Sequence, residues 1–454
     1  MSVALGVRRN QVREERPSPL ARGLRFELLK MLSQWRTRLL LGACWTLPAV
    51  FVAAVSRQDS LPTDTVFGRW MHASGWAGPL VVLGFAGTWL LPLLTALVAG
   101  DVFAAEDRLG TWRQLLVAVR SPRRIFVAKA LASLGVVLVC VAGLAASAIA
   151  GGLAAVGDRS MVGLDGHLLE PAAAGRMVLL AWASVLAPTL AFAGVGLLGS
   201  VALGRSPMGL LAPAVLAFCL QLAQLLPLPV VLRLALPTNA FLAWRGLSTA
   251  PAQASPLLVG VATSLTWALL ATALAYRLFV RRDFTGTAYD GSGRRALVAG
   301  VLPLAALLAL TVGVLAVATP VTGSGITRAK VEGAFTTAYA HLYRLQTHEL
   351  HRPAVTETQL RAGTRCDKGG ERVPDEGAGN DWRCVVTWTL PGATATGTAI
   401  YQLDVAADGR YVADGDGPKE VNGSFRVRTP TGDAPNPLWQ LDGTVDLLTS
   451  SAKG

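Results

Sequence analysis

The chain has 454 residues, of which 52% are hydrophobic and only 15% are charged, and its mean hydropathy is positive. Soluble globular proteins carry about 25% charged residues, so this composition excludes an ordinary water-soluble enzyme and is typical of a membrane protein. The net charge of +12 is unevenly placed: residues 1–320 hold 27 basic and 13 acidic residues, whereas residues 321–454 hold 14 and 16. These two parts of the chain are therefore expected to lie in different environments.

Long uncharged runs predict the membrane-spanning helices, because about 20 apolar residues in a helix cross ~30 Å of hydrocarbon. The sequence contains seven such runs, and they are 39–56, 78–100, 130–156, 177–203, 209–226, 256–276 and 296–319. The first run has 38 residues ahead of it and no small-residue cleavage site after it, so we expect a span rather than a signal peptide.

The distribution of Lys and Arg predicts the orientation, because basic residues resist translocation and stay in the cytoplasm. With the N-terminus inside, the segments 1–38, 101–129 and 277–295 and the turn at 205 hold 21 basic residues, and the outside loops hold six. The sequence therefore predicts a protein of the bacterial plasma membrane with residues 320–454 outside the cytoplasm. The basic charge is explained by topology and by contact with anionic lipid, not by nucleic-acid binding.

The five cysteines fall into two groups. Cys44, Cys140 and Cys219 lie singly in apolar runs, without the spacing of metal ligands. Cys366 and Cys384 lie 18 positions apart in the polar tail, on the side of the membrane where disulfides persist. A disulfide between them would stabilise the domain by about 3 kcal/mol; two unpaired thiols are the alternative.

Segment 23–36, ahead of the first span, has the apolar periodicity of a helix. The apolar residues that recur on one side are Leu24, Leu28, Met31 and Trp35. We expect this helix to lie in the membrane interface, which Trp35 favours because aromatic side chains anchor at the lipid boundary. A helix that covers a cytoplasmic surface of the protein is the alternative.

The loop 101–129 contains a second, shorter amphipathic helix, Trp112–Val119. Thr111 precedes it as a possible N-cap, and Ser121 with Pro122 is expected to end it. Its apolar stripe consists of Trp112, Leu115, Leu116 and Val119. A short helix between two spans has no lipid core to bury in, so its stripe needs an interface or a protein groove, and we infer that the helix is a docking element.

At this loop the chain resembles the permease subunit of a type-2 ABC exporter. The family pattern is an acidic residue, Gly-Thr, a Leu-rich short helix, a Ser-Arg turn and a Lys that opens the next span. The matching residues here are Glu106, Gly110, Thr111, Leu115, Leu116, Ser121, Arg123 or Arg124, and Lys129. The resemblance implies that this loop, including Trp112, is a coupling helix that contacts an ATPase subunit, and that an interfacial helix precedes the first span. Pro122 departs from the pattern, since many relatives have Pro before the Ser, and a seventh span exceeds the usual six.

The sequence indicates that the ATP which drives transport is bound and hydrolysed by another chain. It contains no Gly-x-x-x-x-Gly-Lys-Ser/Thr phosphate loop, so ATP is expected to bind to a partner, and no catalytic residue or cofactor is assigned to this chain. The predicted spans also contain no Asp, Glu, Lys or Arg, which counts against an ion-coupled carrier. Gln221 and Gln224 share one face of the fifth span; hydrogen bonding between helices is favoured over a place on the substrate path.

Residues 320–454 predict a small α+β domain. Apolar spacing predicts a helix over 327–346, followed by strands over the segments 384–390, 398–405, 411–414 and 424–429. His341 lies in this helix, and a helix that continued past residue 346 would bring His348 and His351 to the same side. A solvated helix end is the favoured interpretation, because nothing supplies an obvious fourth metal ligand.

We therefore expect an α-helical polytopic membrane protein: a six-span permease core and a seventh span, followed by an extracytoplasmic α+β domain. The expected divisions are 1–38, 39–280, 281–319 and 320–454. The expected function is that of the membrane subunit of an ABC exporter, in which a separate ABC ATPase and a second permease copy or paralogue drive alternating access. A non-transporting membrane anchor that presents an outer binding domain is one alternative, and an ion-coupled carrier is the other.

Overall fold

The computed structural model describes residues 18–58, 66–119, 121–204, 208–282, 284, 294, 297–319, 321, 323–370, 373–430 and 432–448. Within these ranges, residues up to Ala318 form a helical bundle, and later residues form a domain that contains a β-sheet. The turn expected at 205 and parts of the expected segments 1–38 and 281–319 lie outside the described residues.

Six described helical stretches are long and apolar enough to cross a membrane. They are Trp35–Val55, Ala77–Leu109, Pro122–Ala155, Pro171–Leu203, Ala254–Val280 and Val298–Ala318. Each coincides with one of the runs expected from the sequence. Together with the sheet-containing domain, they confirm a polytopic helical membrane protein with an α+β domain.

The described helices of the bundle are numbered along the chain. They are α1 (Pro19–Ser33), α2 (Trp35–Val55), α3 (Val66–Ala73), α4 (Ala77–Phe85), α5 (Leu91–Ala99), α6 (Ala104–Leu109), α7 (Trp112–Val119), α8 (Pro122–Ala155), α9 (Pro171–Ser184), α10 (Leu186–Leu203), α11 (Met208–Ala223), α12 (Val230–Ala235), α13 (Pro237–Ala240), α14 (Ala254–Val280) and α15 (Leu302–Ala318). A π-helical turn, Ala86–Leu90, joins α4 to α5, and a 3-10 helix, Ala243–Ser248, follows α13. Strands β1 (Met161–Val162) and β2 (Leu168–Leu169) form a hairpin between α8 and α9.

The helix expected over 209–226 is shorter than predicted. Helix α11 has 16 residues and ends before Pro227, so it rises only about 24 Å. It nevertheless connects the two ends of the bundle. Ser200, near the end of α10 that leads into α11, accepts hydrogen bonds from backbone amides at the start of α6. Gln224, just past the end of α11, donates a hydrogen bond to Thr238.

The connections divide between the two ends of the bundle. Residues 101–129 form one end, called here the loop end. The opposite end carries the β1–β2 hairpin and residues 227–253, and the C-terminal domain packs there, so it is called the domain end. The bundle and the C-terminal domain are joined there by hydrogen bonds. One runs from Gln253 to the Thr444 carbonyl at 3.1 Å, and another runs from the Val230 amide to the Gly323 carbonyl at 2.9 Å.

The C-terminal domain consists of one long helix on an antiparallel sheet. Its elements are α16 (Arg328–Glu349), β3 (Arg361–Lys368), β4 (Gly379–Thr389), β5 (Thr396–Val405), β6 (Arg410–Gly415), α17 (Lys419–Asn422), β7 (Arg426–Thr429), β8 (Gly432–Pro435) and β9 (Gln440–Thr444). The strand order in the sheet is β3-β4-β5-β6-β9. Phe335 of α16 packs on Tyr401 and Tyr411, with ring centroids 5.2 and 5.8 Å away.

Three of the four expected strands lie in this sheet, and the fourth does not. The expected strand 424–429 overlaps β7, which pairs with β8 as a separate hairpin. The edge strands β3 and β9 were not expected. Both are polar: β3 contains two arginines, an aspartate and a lysine, and β9 contains an aspartate and a glycine, residues that are depleted in strands.

The disulfide between Cys366 and Cys384 is confirmed. The two cysteines are direct partners on β3 and β4, with Cα atoms 4.1 Å apart, and both are buried. The bond therefore fastens an edge strand to its neighbour beneath α16.

Candidate coupling site and domain interface

Helix α7 packs against the ends of three spans through an aromatic cluster. Phe103, Phe126 and Phe279 contact one another, and the Trp112 ring lies 6.4 Å from Phe103 and 5.3 Å from Phe279 between centroids. Phe284 adds a further contact at 5.6 Å. Aromatic pairs at these separations attract beyond the area that they bury. Trp112, only 6% exposed, is therefore the anchor of α7.

A buried ion pair completes this anchor. The Trp112 indole N–H donates to Asp107 Oδ1 at 2.7 Å, and Arg282 Nη1 donates to Asp107 Oδ2 at 2.9 Å. The Arg282 guanidinium also lies 5.8 Å from the Trp112 ring centroid, a distance at which cation–π attraction acts. Asp107 lies in α6, at the end of the second apolar stretch, and Arg282 follows α14, so this contact joins α6, α7 and the end of α14.

The apolar stripe of α7 faces the protein, which corrects the expectation that it docks elsewhere. Trp112 is part of the buried core, and Leu115, Leu116 and Val119 are half-buried against it. The physical reason is that the ends of the spans already provide an apolar surface. The residues left exposed are Arg113, Gln114, Val117 and Ala118, and Val117 is 77% exposed. These four residues are called here the outer face of α7.

Glu106 and Lys129, expected in the same loop, meet in a buried ionic network. Lys129 Nζ donates to Glu106 Oε1 at 2.7 Å and to Glu27 Oε2 at 3.0 Å, and Lys30 also pairs with Glu106. The side chains of Lys129 and Glu106 are at most 2% exposed. Two ammonium groups thus balance two carboxylates, as burial of charge requires. The network joins α1, α6 and α8.

Gly110 and Thr111 form the corner between α6 and α7. Gly110 has a φ of +68°, the left-handed conformation that commonly ends a helix and favours Gly. The Thr111 amide donates to the Glu106 carbonyl at 3.2 Å, and its hydroxyl donates to the Glu106 carboxylate. The expected N-cap role of Thr111 is therefore corrected: its side chain serves the ionic network.

The expected turn around Ser121 is the start of a helix. Pro122 is the first residue of α8, where its missing N–H costs nothing. Arg123 and Arg124 follow in the first turn and are exposed. The N-terminus of a helix carries partial positive charge and does not favour cations. The helix dipole therefore does not stabilise either arginine at this position.

The N-terminal helix has two apolar sides. Leu24, Leu28 and Met31 are half-buried, and the latter two pack on the core of the bundle. The helix expected over 23–36 ends at Ser33, and the fourth expected residue, Trp35, is the first residue of α2. Trp35 is 68% exposed, and Phe26 of α1 is 56% exposed. The expected stripe therefore mostly covers the protein, and a second side of α1 is left open to the surroundings.

Of the two expected glutamines, Gln221 lies in the last turn of α11 and Gln224 follows its last residue. Gln224 Nε2 donates to Thr238 Oγ1 at 3.1 Å, which favours the interpretation of hydrogen bonding between helices. The side-chain oxygens of Gln221 and Gln224 are both buried and accept no hydrogen bond from the described residues. A place for either residue on a substrate path stays a prediction.

Sequence reasoning missed Glu27, Asp107 and Arg282. A signal existed for Glu27, because it lies three residues after Leu24 and four before Met31, on the apolar side of α1. Asp107 and Arg282 gave no comparable signal. Their pairing depends on the ends of two spans that are far apart in the sequence.

At the domain end, one carboxylate joins the hairpin loop to α16. Asp165 Oδ1 lies 2.5 Å from His167 Nδ1, and Oδ2 lies 3.3 Å from His341 Nδ1 and accepts from the Ala250 amide at 2.8 Å. His341 Nε2 lies 3.2 Å from Glu357. His341 is only 4% exposed, so the expected solvated helix end is wrong for this residue.

These contacts shift two pKa values. Burial raises the pKa of Asp165, but hydrogen bonds from His167, His341 and the Ala250 amide outweigh it and hold the pKa below its usual value. Burial lowers the pKa of His341, but hydrogen bonding and charge from Asp165, with charge from Glu357, outweigh it and raise the pKa above 6.5. An imidazolium paired with a carboxylate is therefore favoured at this interface.

Comparison with known proteins supports the class of protein. Residues 24–195, from α1 to α10 and less than half of the chain, match the family model described as ABC-2 family transporter protein. With the apolar helices, this match confirms the resemblance to a type-2 ABC permease. The residues after α10, including the C-terminal domain, lie beyond the match. No curated protein matches the chain.

We predict that Lys129→Met lowers the free energy of unfolding by about 3–5 kcal/mol, because Glu27 would stay buried without a countercharge and Glu106 would keep only Lys30. Arg108→Met is the control. It breaks the exposed pair with Asp101, at 2.6 Å, and should cost less than ~1 kcal/mol. Denaturant unfolding of the full chain in detergent, followed by tryptophan fluorescence, measures both. Equal midpoints for Lys129→Met and the unaltered protein would contradict the role of the network.

We also predict that thermal stability of the docked domain falls as the pH rises above 6.5. Because the pKa of His341 is raised in the folded protein, its ion pair stabilises the domain fully below pH 6.5. This stabilisation is lost as the pH rises through the raised pKa. The pKa of Asp165 is lowered in the folded protein, so its contribution to stability is lost only when the pH falls into the acid range. The groups around His341 are Asp165, His167, Glu357 and Arg344.

Thermal unfolding of the full chain between pH 5.5 and 8.5 tests this dependence. His341→Gln should flatten the profile. His348→Gln, an exposed position on the same helix, should leave it unchanged. A profile that is equally steep in the His341→Gln protein assigns the dependence to another group.

Proposed function

We propose that the chain is the membrane-spanning subunit of an ABC exporter, and that α7 receives mechanical work from a separate ATPase subunit that binds and hydrolyses ATP. The observation that carries this proposal is the asymmetry of α7. Its inner side is fixed to the ends of the spans through Trp112, Asp107 and Arg282, and its outer side is open. A displacement of α7 would therefore reach α6, α8 and α14 together and favour alternating access.

The outer face of α7 has the chemistry of a docking surface. Val117 supplies an exposed apolar side chain, and Leu109 at the end of α6 is 69% exposed. Arg113 on α7 and Arg123 and Arg124 at the start of α8 are also exposed. An apolar anchor with a charged rim is typical of protein interfaces. We therefore expect an acidic groove on the ATPase.

The proposed orientation places the loop end in the cytoplasm, where ATP is available, and the C-terminal domain outside. The excess of basic residues in 1–38 and 101–129 supports it. The disulfide in the domain is consistent with it, because disulfides persist in oxidising compartments. The location would then be the bacterial plasma membrane, with 39–280 as the permease core and 281–319 as linker and last span.

The proposed assembly contains two permease chains, and the N-terminal helix of each contacts the lipid. A second copy or a paralogue is proposed from the family match alone. Contact of α1 with the bilayer interface is supported by the exposed side chains of Phe26 and Leu29, and by Trp35 at the start of α2. Gln221 and Gln224 are kept as candidates for the substrate path because their side-chain oxygens are buried without a described partner.

We predict that Val117→Asp lowers the amount of ATPase subunit that co-purifies with the chain by about tenfold, as expected when a buried interface anchor is lost. The matched control is Leu168→Asp at the domain end, where the leucine is 59% exposed. Pull-down of the candidate ATPase on the tagged full chain measures both variants.

Full retention of the ATPase by Val117→Asp would contradict docking at the outer face of α7. It would favour a membrane anchor that works through its C-terminal domain. Loss of binding in both variants would indicate a general defect of the membrane protein, and thermal unfolding of the two variants separates that case.

A further inference from the structure

Two adjoining cavities lie between the bundle and the C-terminal domain. The larger has a volume of about 450 Å³ and the smaller about 260 Å³, and both are lined by Trp70, Leu164 and Asp442. Sites for small molecules are commonly ~300–1,000 Å³ in size, with mostly apolar walls and a few polar groups. The two cavities together match that description.

The wall of the larger cavity is apolar and reaches the surface of the bundle. Leu80, Val81 and Phe85 of α4 line it, and so does Trp89 in the π-helical turn. Phe85 and Trp89 are 61% and 46% exposed on a helix that spans the membrane. The cavity therefore opens towards the hydrocarbon of the bilayer.

The other side of the same cavity is polar and carries an excess of positive charge. Arg245 and Arg410 line it, and the two share one carboxylate, Asp408, at 3.5 and 3.0 Å. Asp442 also lines it and is paired with Arg69. Among the charged residues that line this cavity, two guanidinium groups thus face one carboxylate, which favours an anion at this end.

A buried donor lies in the same wall. Trp244 lines the larger cavity and is 2% exposed, and its indole N–H finds no hydrogen-bond acceptor among the described residues. Buried polar groups are nearly always hydrogen-bonded. An oxygen atom of a bound molecule would supply the missing acceptor beside Arg245.

We propose that these cavities bind a long-chain amphiphile with a single anionic head group, which enters from the membrane leaflet at the domain end. Its chain lies along the wall of α4, past Leu80, Val81 and Phe85. Its head group lies against Arg245 and Arg410 and accepts from Trp244. That the molecule is transported cargo rests on the proposed function; binding itself does not.

Photolabelling of the full chain tests the proposal. The chain is purified in detergent without ATPase or nucleotide, so a failure of coupling does not affect the result. The probe is palmitic acid with a diazirine near the end of its chain, and the labelled peptides are identified by mass spectrometry. Labels are expected in α4 and the π-helical turn, and an excess of palmitate should remove them. Hexadecanol and hexadecyltrimethylammonium should compete much more weakly.

Gly84→Leu fills the larger cavity without a clash, because a Cβ at Gly84, which lines this cavity, meets no other atom within 4 Å. We expect labelling to fall about tenfold, since the added side chain takes the place of roughly two methylene groups of the ligand. Gly313→Leu is the matched control. Gly313 is an exposed helical position in α15 with equally open surroundings, and labelling should be unchanged.

Arg410→Gln tests the head group. Loss of one charged donor should lower labelling by about tenfold. Arg383→Gln, which removes an exposed arginine from β4 of the same sheet, should have no effect. Labelling that is equal in Gly84→Leu and the unaltered chain overturns the site. Equal competition by hexadecanol, or equal labelling in Arg410→Gln, overturns the assignment of an anionic head.

Discussion

The burial of Trp112 is the contact on which the loop end depends. Its indole packs between Phe103 and Phe279 and donates to Asp107, which is also held by Arg282. A helix of eight residues such as α7 is not stable alone in water, so this anchor keeps it folded. The same anchor ties it to spans that are distant in the sequence, and a force on α7 is therefore carried to the bundle.

The buried network around Lys129 gives the loop end a second connection. It joins α1 to α6 and α8 through Glu27 and Glu106. Such networks add little net stability but penalise any arrangement that separates the charges. The N-terminal helix and the corner before α7 are thus expected to move as one unit with the start of α8. The domain end has ionic contacts of its own, through Asp165 and Asp408, so the two ends of the spans are held independently.

Hydropathy and spacing predicted the spans, α7 and the disulfide, because each depends on local composition. They did not predict the direction in which α7 faces. The stripe of Trp112 and Leu115 fits a partner or the bundle equally well, and only tertiary packing decides. Glu27 was missed as a single charge in an apolar pattern. Strands β3 and β9 were missed because their polar residues are stabilised by pairing with neighbours rather than by propensity.

Cross-linking at the outer face of α7 tests the central claim most directly. With a short thiol-to-amine cross-linker and the ATPase present, Val117→Cys should form a covalent adduct with that subunit. Leu116→Cys on the inner side and Leu168→Cys at the domain end should form none. An adduct through Leu168→Cys, or none through an accessible Val117→Cys in a complex that is intact, would contradict the account.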